Sequence, residues 1–134
     1  LDLVACDAPV DTLATMHRKK TGALIEAAVQ LGALTATGDP VVLQQLTGYA
    51  RPLGLAFQVV DDILDGTADT ATLGKLAGAD RLKGKPTFLS ALGESASRHY
   101  AQALGDEAIA ALDHAAFNST LLIALARLTI ERSH

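Results

Sequence analysis

The sequence predicts an all-α protein, and three observations carry that reading. Apolar residues recur at helical spacing, as at Leu13, Met16, Leu24, Ala27, Ala28 and Leu31. No stretch shows the period-two alternation of a half-buried strand. The apolar residues are mostly Leu, Ala, Val and Ile, while aromatics make up 4% of the chain and Trp is absent. That mixture suits helices packed closely together.

Taken in order, residues 1–10 close on Ala8-Pro9, where proline disfavours helix in the residue before it. Asp11 or Thr12 is the candidate N-cap of a first helix running to about Leu34, and Thr37-Gly38 ends it. Asp39-Pro40 restarts the chain as an N-cap followed by proline at the first helical position. This second helix should run over residues 40–64, kinked at Pro52 and softened by Gly54. Such a helix needs neighbours around it, which places it centrally. Residues 66–82 read as a loop with one helical turn near 70–75, followed by a basic turn at 83–86. A short helix over 87–92, a long amphipathic helix over 94–116 and a last helix to about Arg132, capped by Asn118 or Ser119, complete the chain. No repeat or low-complexity segment interrupts the pattern.

The 134 residues fit one domain, and 49% hydrophobic content gives it a core to bury. A net charge of −4 argues against a general nucleic-acid binder, since Arg18, Lys19, Lys20 and Arg81 are only local basic features. Cys6 is the single cysteine, so no intramolecular disulfide is expected and a cytoplasmic setting is the default. The longest apolar run, residues 121–126, falls far short of the roughly 20 needed to span a bilayer. The chain opens at Leu1 on what reads as the end of a helix, so it is expected to be part of a longer protein.

The chemistry concentrates in the segment 54–65. At about 100° per residue, Gln58, Asp61, Asp62 and Asp65 share one side of a helix whose other positions, Leu55, Val59, Ile63 and Leu64, are apolar. Carboxylates this close repel one another unless a cation neutralises them. Oxygen-only ligands suit magnesium or calcium rather than zinc, and magnesium commonly takes one or two carboxylates plus substrate phosphates. The bland alternative is a solvated helix end. Carboxylates in a last turn oppose the helix dipole, so a purely structural helix gains nothing from them.

Candidate cations flank this stripe. Lys20 and Thr21 lie beside the apolar surface of the first helix, whereas Arg18 and Lys19 read as solvated. Lys75 and Lys85 sit beside glycines in the segment after the aspartates, where backbone can approach a ligand closely and a lysine offers a point charge to phosphate. Metal on one side and lysines on the other suggest a site for a polyphosphate. No Walker-type phosphate loop, dinucleotide fingerprint or nucleophile elbow is present. His99 and His114 read as surface residues of the long helix.

The ordered motifs His17-x-x-Lys20-Thr21-Gly22, Gly54-x-x-Phe57-Gln58-x-x-Asp61-Asp62-x-x-Asp65, Leu73-Gly74-Lys75 and Lys83-Gly84-Lys85-Pro86-Thr87 resemble the trans-isoprenyl diphosphate synthases, most closely the bacterial farnesyl type. The resemblance implies an isoprenoid-synthase-type helical bundle, of which residues 1–134 would be the C-terminal part of one polyprenyl synthetase domain. It implies that Asp61, Asp62 and Asp65 form the family's second aspartate-rich motif, with Asp61 the main ligand of one Mg2+. Lys20 and Lys75 would contact the allylic diphosphate, Thr21 and Gln58 would support that site, Phe57 would line the pocket, and Lys85 matches a family segment. The implied reaction joins an allylic diphosphate to isopentenyl diphosphate, giving farnesyl diphosphate and diphosphate, in a cytoplasmic homodimer.

The family also has a first aspartate-rich motif and N-terminal basic residues, and neither occurs here. The 134-residue chain alone is therefore expected to be inactive. Three alternatives stand beside the farnesyl reading: a longer-chain synthase, a class I terpene cyclase, and a non-catalytic helical or regulatory module. The Lys-Gly-Lys-Pro-Thr segment argues against a cyclase. The set Lys20, Gln58, Asp61 and Lys75 argues against a decayed site.

Overall fold

Asp39 Oδ1 accepts the Val41 N–H at 2.9 Å and so opens the helix around which the rest of the chain is arranged. The computed structural model describes residues 9–72 and 85–132. Among them lie helices α1 (Val10–His17), α2 (Ala23–Ala36), α3 (Pro40–Thr72), α4 (Phe88–Leu92), α5 (Glu94–Ala110) and α6 (Thr120–Glu131), with a π-helical turn over Arg18–Gly22 joining α1 to α2. No strand occurs among the described residues. Each of the other elements touches α3, so the central placement expected for it holds.

Several boundaries differ from the sequence expectation. The first helix is capped by Pro9 rather than Asp11 or Thr12, because the Pro9 carbonyl already accepts the N–H groups of Thr12 and Leu13. It is also not one regular helix. The π turn inserts an extra residue, which rotates everything after it by roughly a third of a turn. Lys20 and Leu24 are consequently both exposed, not packed on a shared inward face. The aspartate helix does not end near residue 64. It continues to Thr72, 33 residues in all, because a single Gly66 is tolerated and Thr67 Oγ1 bonds back to Ile63 O at 2.8 Å. The loop expected from residue 66 therefore starts too early, and the stretch 73–84, with the turn at 83–86 up to Gly84, lies outside the described residues. Pro52 is buried within α3, which continues on both sides of it.

The long amphipathic helix stops at Ala110, not residue 116. Two i→i+3 bonds, Leu112 N to Ile109 O and Asp113 N to Ala110 O, tighten its end, and His114 adopts a positive φ of 57°. His114 is thus exposed but lies beyond the helix, whereas His99 is exposed on it. The short helix α4 has a capping box: Thr87 Oγ1 accepts the Ser90 N–H and Ser90 Oγ accepts the Thr87 N–H, both at 3.0 Å. Of the two candidate caps for α6, Ser119 is the N-cap by position, but Asn118 Oδ1 supplies the oxygen that accepts the Thr120 N–H.

Two apolar clusters share α3 between them. Leu13, Ala14, Leu55, Ala56, Val59, Val60, Ile63, Phe88, Ala101 and Leu104 form the first, around the aspartate segment. Tyr49, Leu53, Ala108, Leu112 and Ala126 form the second, nearer the start of α3. On the surface, Arg51 donates to both carboxylate oxygens of Glu26 at 3.0 and 2.9 Å, which ties α2 to α3.

Two glycines mark close approaches. A Cβ on Gly54 would lie 3.2 Å from the Gly22 Cα, so α3 and the π turn meet backbone to backbone. A Cβ on Gly105 would overlap Ile130 Cδ1 outright, so α5 and α6 cross at that point. Gly105→Ala should therefore cost about 1–3 kcal/mol by overpacking, measured by denaturant titration. Ile130→Ala in the same chain should recover part of that loss, since the two positions are in contact.

Tyr49 donates its hydroxyl to Leu122 O at 2.8 Å, and burial pushes its phenol from the ordinary 10.0 to about 12. Between those values the unfolded state holds fewer protons than the folded one, so stability falls as pH rises. Tyr49→Phe should cost about 1 kcal/mol at neutral pH through the lost hydrogen bond. That deficit should shrink as pH climbs from 10 to about 12, a trend that denaturant midpoints across the range would show.

Candidate functional site

The buried row Val59, Val60 and Ile63 fixes the rotation of α3, leaving Phe57, Gln58, Asp61 and Asp62 half-buried and Asp65 exposed. The three carboxylates then part company. The Asp62 side chain is 15% exposed against 38% for Asp61. Asp62 turns towards the α3–α4 junction, where its Oδ2 accepts the Phe88 N–H at 2.8 Å. Desolvation is the main cause that raises its pKa above the usual carboxylate value, opposed by the Phe88 hydrogen bond and by the charge of His17, and reinforced by Asp65 and Asp61. Asp61 faces the other way. Its Oδ1 accepts from Arg132 Nη2 at 3.2 Å, and the guanidinium carbon lies 4.4 Å above the Phe57 ring.

Beneath this surface lies a histidine to which sequence reasoning assigned no role. His17 is 9% exposed. Its Nδ1–H donates to Gln58 Oε1 at 3.1 Å, and its Nε2 stands 3.9 Å from Asp62 Oδ2. The imidazole stacks on Phe88 with ring centroids 5.4 Å apart. The signal was present in the sequence, because Leu13, Ala14 and His17 share one face and the first two are core residues. Arg132 left no comparable signal, being 71 positions from its partner.

The structure thus brings together His17, Gln58, Asp62 and Phe88 as one group, and Phe57, Asp61 and Arg132 as a second. Thr21 is half-buried and Lys20 exposed on the π turn that Gly22 seats against Gly54. Lys85 is exposed just before α4, and Lys75 lies outside the described residues.

Among the described residues, no group of three or more His, Cys, Asp or Glu converges tightly enough to hold a metal ion unaided. Asp62 meets the Phe88 N–H through Oδ2, one of its two carboxylate oxygens. What remains outward, Asp61 with Asp65 one turn on, is an oxygen-only pair, and Asp61 already attracts a cationic group. That donor set fits a hard cation completed by water and phosphate oxygens.

A family model described as polyprenyl synthetase matches residues 1–115. The chain belongs to the polyprenyl synthetase family. Farnesyl diphosphate synthase of Escherichia coli (strain K12) is 48% identical over 99% of this chain and 46% of its own length. Geranylgeranyl pyrophosphate synthase 10, mitochondrial, of Arabidopsis thaliana is 43% identical over 76% of this chain and 30% of its own. A crystal structure assigned as a farnesyl-diphosphate synthase from Marinomonas sp. MED121 matches with a TM-score of 0.72 at 34% identity, covering 92% of this chain and 41% of the other. The chain therefore spans less than half the length of these relatives. Its fold is the helical isoprenoid-synthase type that the motifs implied. No helix among the described residues is long and apolar enough to cross a membrane.

Proposed function

We propose that this polyprenyl synthetase chain supplies the allylic-diphosphate half of a prenyltransferase site, with Mg2+ held at Asp61 and Asp65. The observation that carries the reading is the division of the aspartate stripe. Asp62 Oδ2 accepts the Phe88 N–H at the α3–α4 junction, while Asp61 turns the other way, towards Arg132 and Phe57. A bound magnesium ion would offset the charge of the departing diphosphate there.

The chain's own residues do the rest. In the proposed site Lys20, on the turn that Gly22 seats against Gly54, lends its ammonium to the diphosphate, and Lys75 and Lys85 add charge from the segment that follows α3. Thr21 and Gln58 orient the diphosphate by hydrogen bonding. Phe57 and the apolar core beneath it exclude water from the reacting carbon. In the proposed reaction the allylic C–O bond breaks, the isopentenyl double bond supplies the electron pair for a new C–C bond, and a proton leaves.

Farnesyl diphosphate is the product proposed, supported by the farnesyl-type relatives that this chain matches over most of its length. A longer-chain product is the second reading, because geranylgeranyl synthases also match at 43–46% identity. Supplying the full-length protein with geranyl and isopentenyl diphosphates should release diphosphate only with magnesium, and chromatography of the product decides between the readings. A homodimer in the cytoplasm completes the proposal. Exposed leucines on α2 and α6, such as Leu31 and Leu121, support burial against further helices, and sedimentation would measure the assembly.

A further inference from the structure

His17 is held by four features at once. It is buried, it donates through Nδ1 to Gln58 Oε1, its ring stacks on Phe88, and its Nε2 faces Asp62 Oδ2 at 3.9 Å without a hydrogen-bond partner among the described residues. A separation of 3.9 Å is too long for a hydrogen bond. This enclosed side chain is thus hydrogen-bonded to Gln58 and stands beside Asp62 without a bond to it.

The consequence for Gln58 is geometric. The oxygen and nitrogen of a side-chain amide lie on opposite sides of its terminal carbon. With Oε1 claimed by the His17 N–H, the NH2 end must turn away from the imidazole. Without that contact the amide has two settings, one offering a donor outward and the other an acceptor. Only the donor setting suits an anionic ligand. The same imidazole stacks on Phe88, whose N–H donates to Asp62 Oδ2.

We propose that His17 is a positioning residue that locks the Gln58 amide with its NH2 end outward, as a donor to the anionic substrate, and so acts through Gln58 without touching substrate. This rests on the diphosphate-binding reading above and adds to it the residue that sets the polarity of the site. Partners that orient a ligand-contacting group in this way commonly change affinity or activity by about 10–100-fold when removed.

Three substitutions separate the roles of the ring. Asn places its side-chain NH2 near the position of Nδ1 and keeps the donor to Gln58. Gln reaches towards the Nε2 position and does not. Phe keeps the stack on Phe88 and loses both nitrogens. In the full-length protein, the Kd of a nitrogen-free bisphosphonate in magnesium, read by calorimetry, should rise about tenfold or more for His17→Phe and His17→Gln and recover to within about threefold for His17→Asn. In a Gln58→Ala background the His17 substitutions should add nothing further. Equal losses for Asn and Gln, or additive losses in the Gln58→Ala background, would overturn the proposal. So would an unchanged Kd in His17→Phe. If His17→Phe does not fold, the Asn and Gln pair decides alone, since both lose the ring. Wild-type protein that fails to bind the bisphosphonate would instead count against the diphosphate site itself.

Discussion

Asp61→Ala should lower prenyl transfer by two to three orders of magnitude, as about 10²–10³ follows the loss of one preorganised electrostatic contact at a reacting charge, while helix content stays unchanged. The asymmetry comes from where Asp61 stands. Its neighbours Val59, Val60 and Ile63 hold α3 in the core without it, and its side chain is 38% exposed. The contact it makes, with Arg132, is a partly exposed ion pair worth little to stability. Circular dichroism and single-turnover rates on the full-length variant would measure both effects. Comparable losses of folding and rate would mark Asp61 as structural. Asp62→Ala should behave in the opposite sense. It strands the Phe88 N–H and empties a half-buried site, so its first effect falls on stability, about 1–3 kcal/mol.

Phe88→Ala should cost about 3–5 kcal/mol, the largest stability effect expected from any single change here. Phe88 is 0% exposed, stacks on His17, and meets Tyr100 at a centroid distance of 5.7 Å. Its backbone does two further jobs: the N–H donates to Asp62 and the carbonyl accepts from Ser97 Oγ at 3.0 Å. One residue thus joins α1, α3, α4 and α5. Truncation leaves a cavity at that junction which rigid helices cannot close. For a domain whose whole stability is on the order of 5–15 kcal/mol, such a loss brings unfolding close to ambient temperature. A urea titration should show a lower midpoint with an unchanged slope. A loss below about 1 kcal/mol would mean that Phe88 does not fill the junction.

What the sequence revealed and what it hid follow one physical line. Features written within a few residues were legible. Asp39-Pro40 opens α3, the short helix expected over 87–92 is α4, and the apolar runs predict an all-helical chain in the right order. Features set by distant packing were not. The π turn at Arg18–Gly22 is a one-residue insertion at the place where Gly22 meets Gly54, and nothing local announces it. The continuation of α3 beyond Gly66 reverses a local breaker signal, and Ala110 ends a helix whose pattern reads on to 116. The site divides in the same way. Gln58, Asp61, Asp62 and Asp65 were found from their spacing, but spacing treats the three aspartates alike. Only the arrival of α4 and His17 from either side shows that Asp62 faces inward. Lys75, read from its glycine neighbour in the sequence, lies outside the described residues.

The central claim, that Asp61 anchors a magnesium-dependent diphosphate site, is met most directly by one titration. A bisphosphonate is added to the full-length protein in a calorimeter, with magnesium and then with chelator. Binding should appear with magnesium, vanish with chelator, and be lost in Asp61→Ala while that variant keeps its helix content. Binding that persists without magnesium, or that survives in Asp61→Ala, would contradict the account.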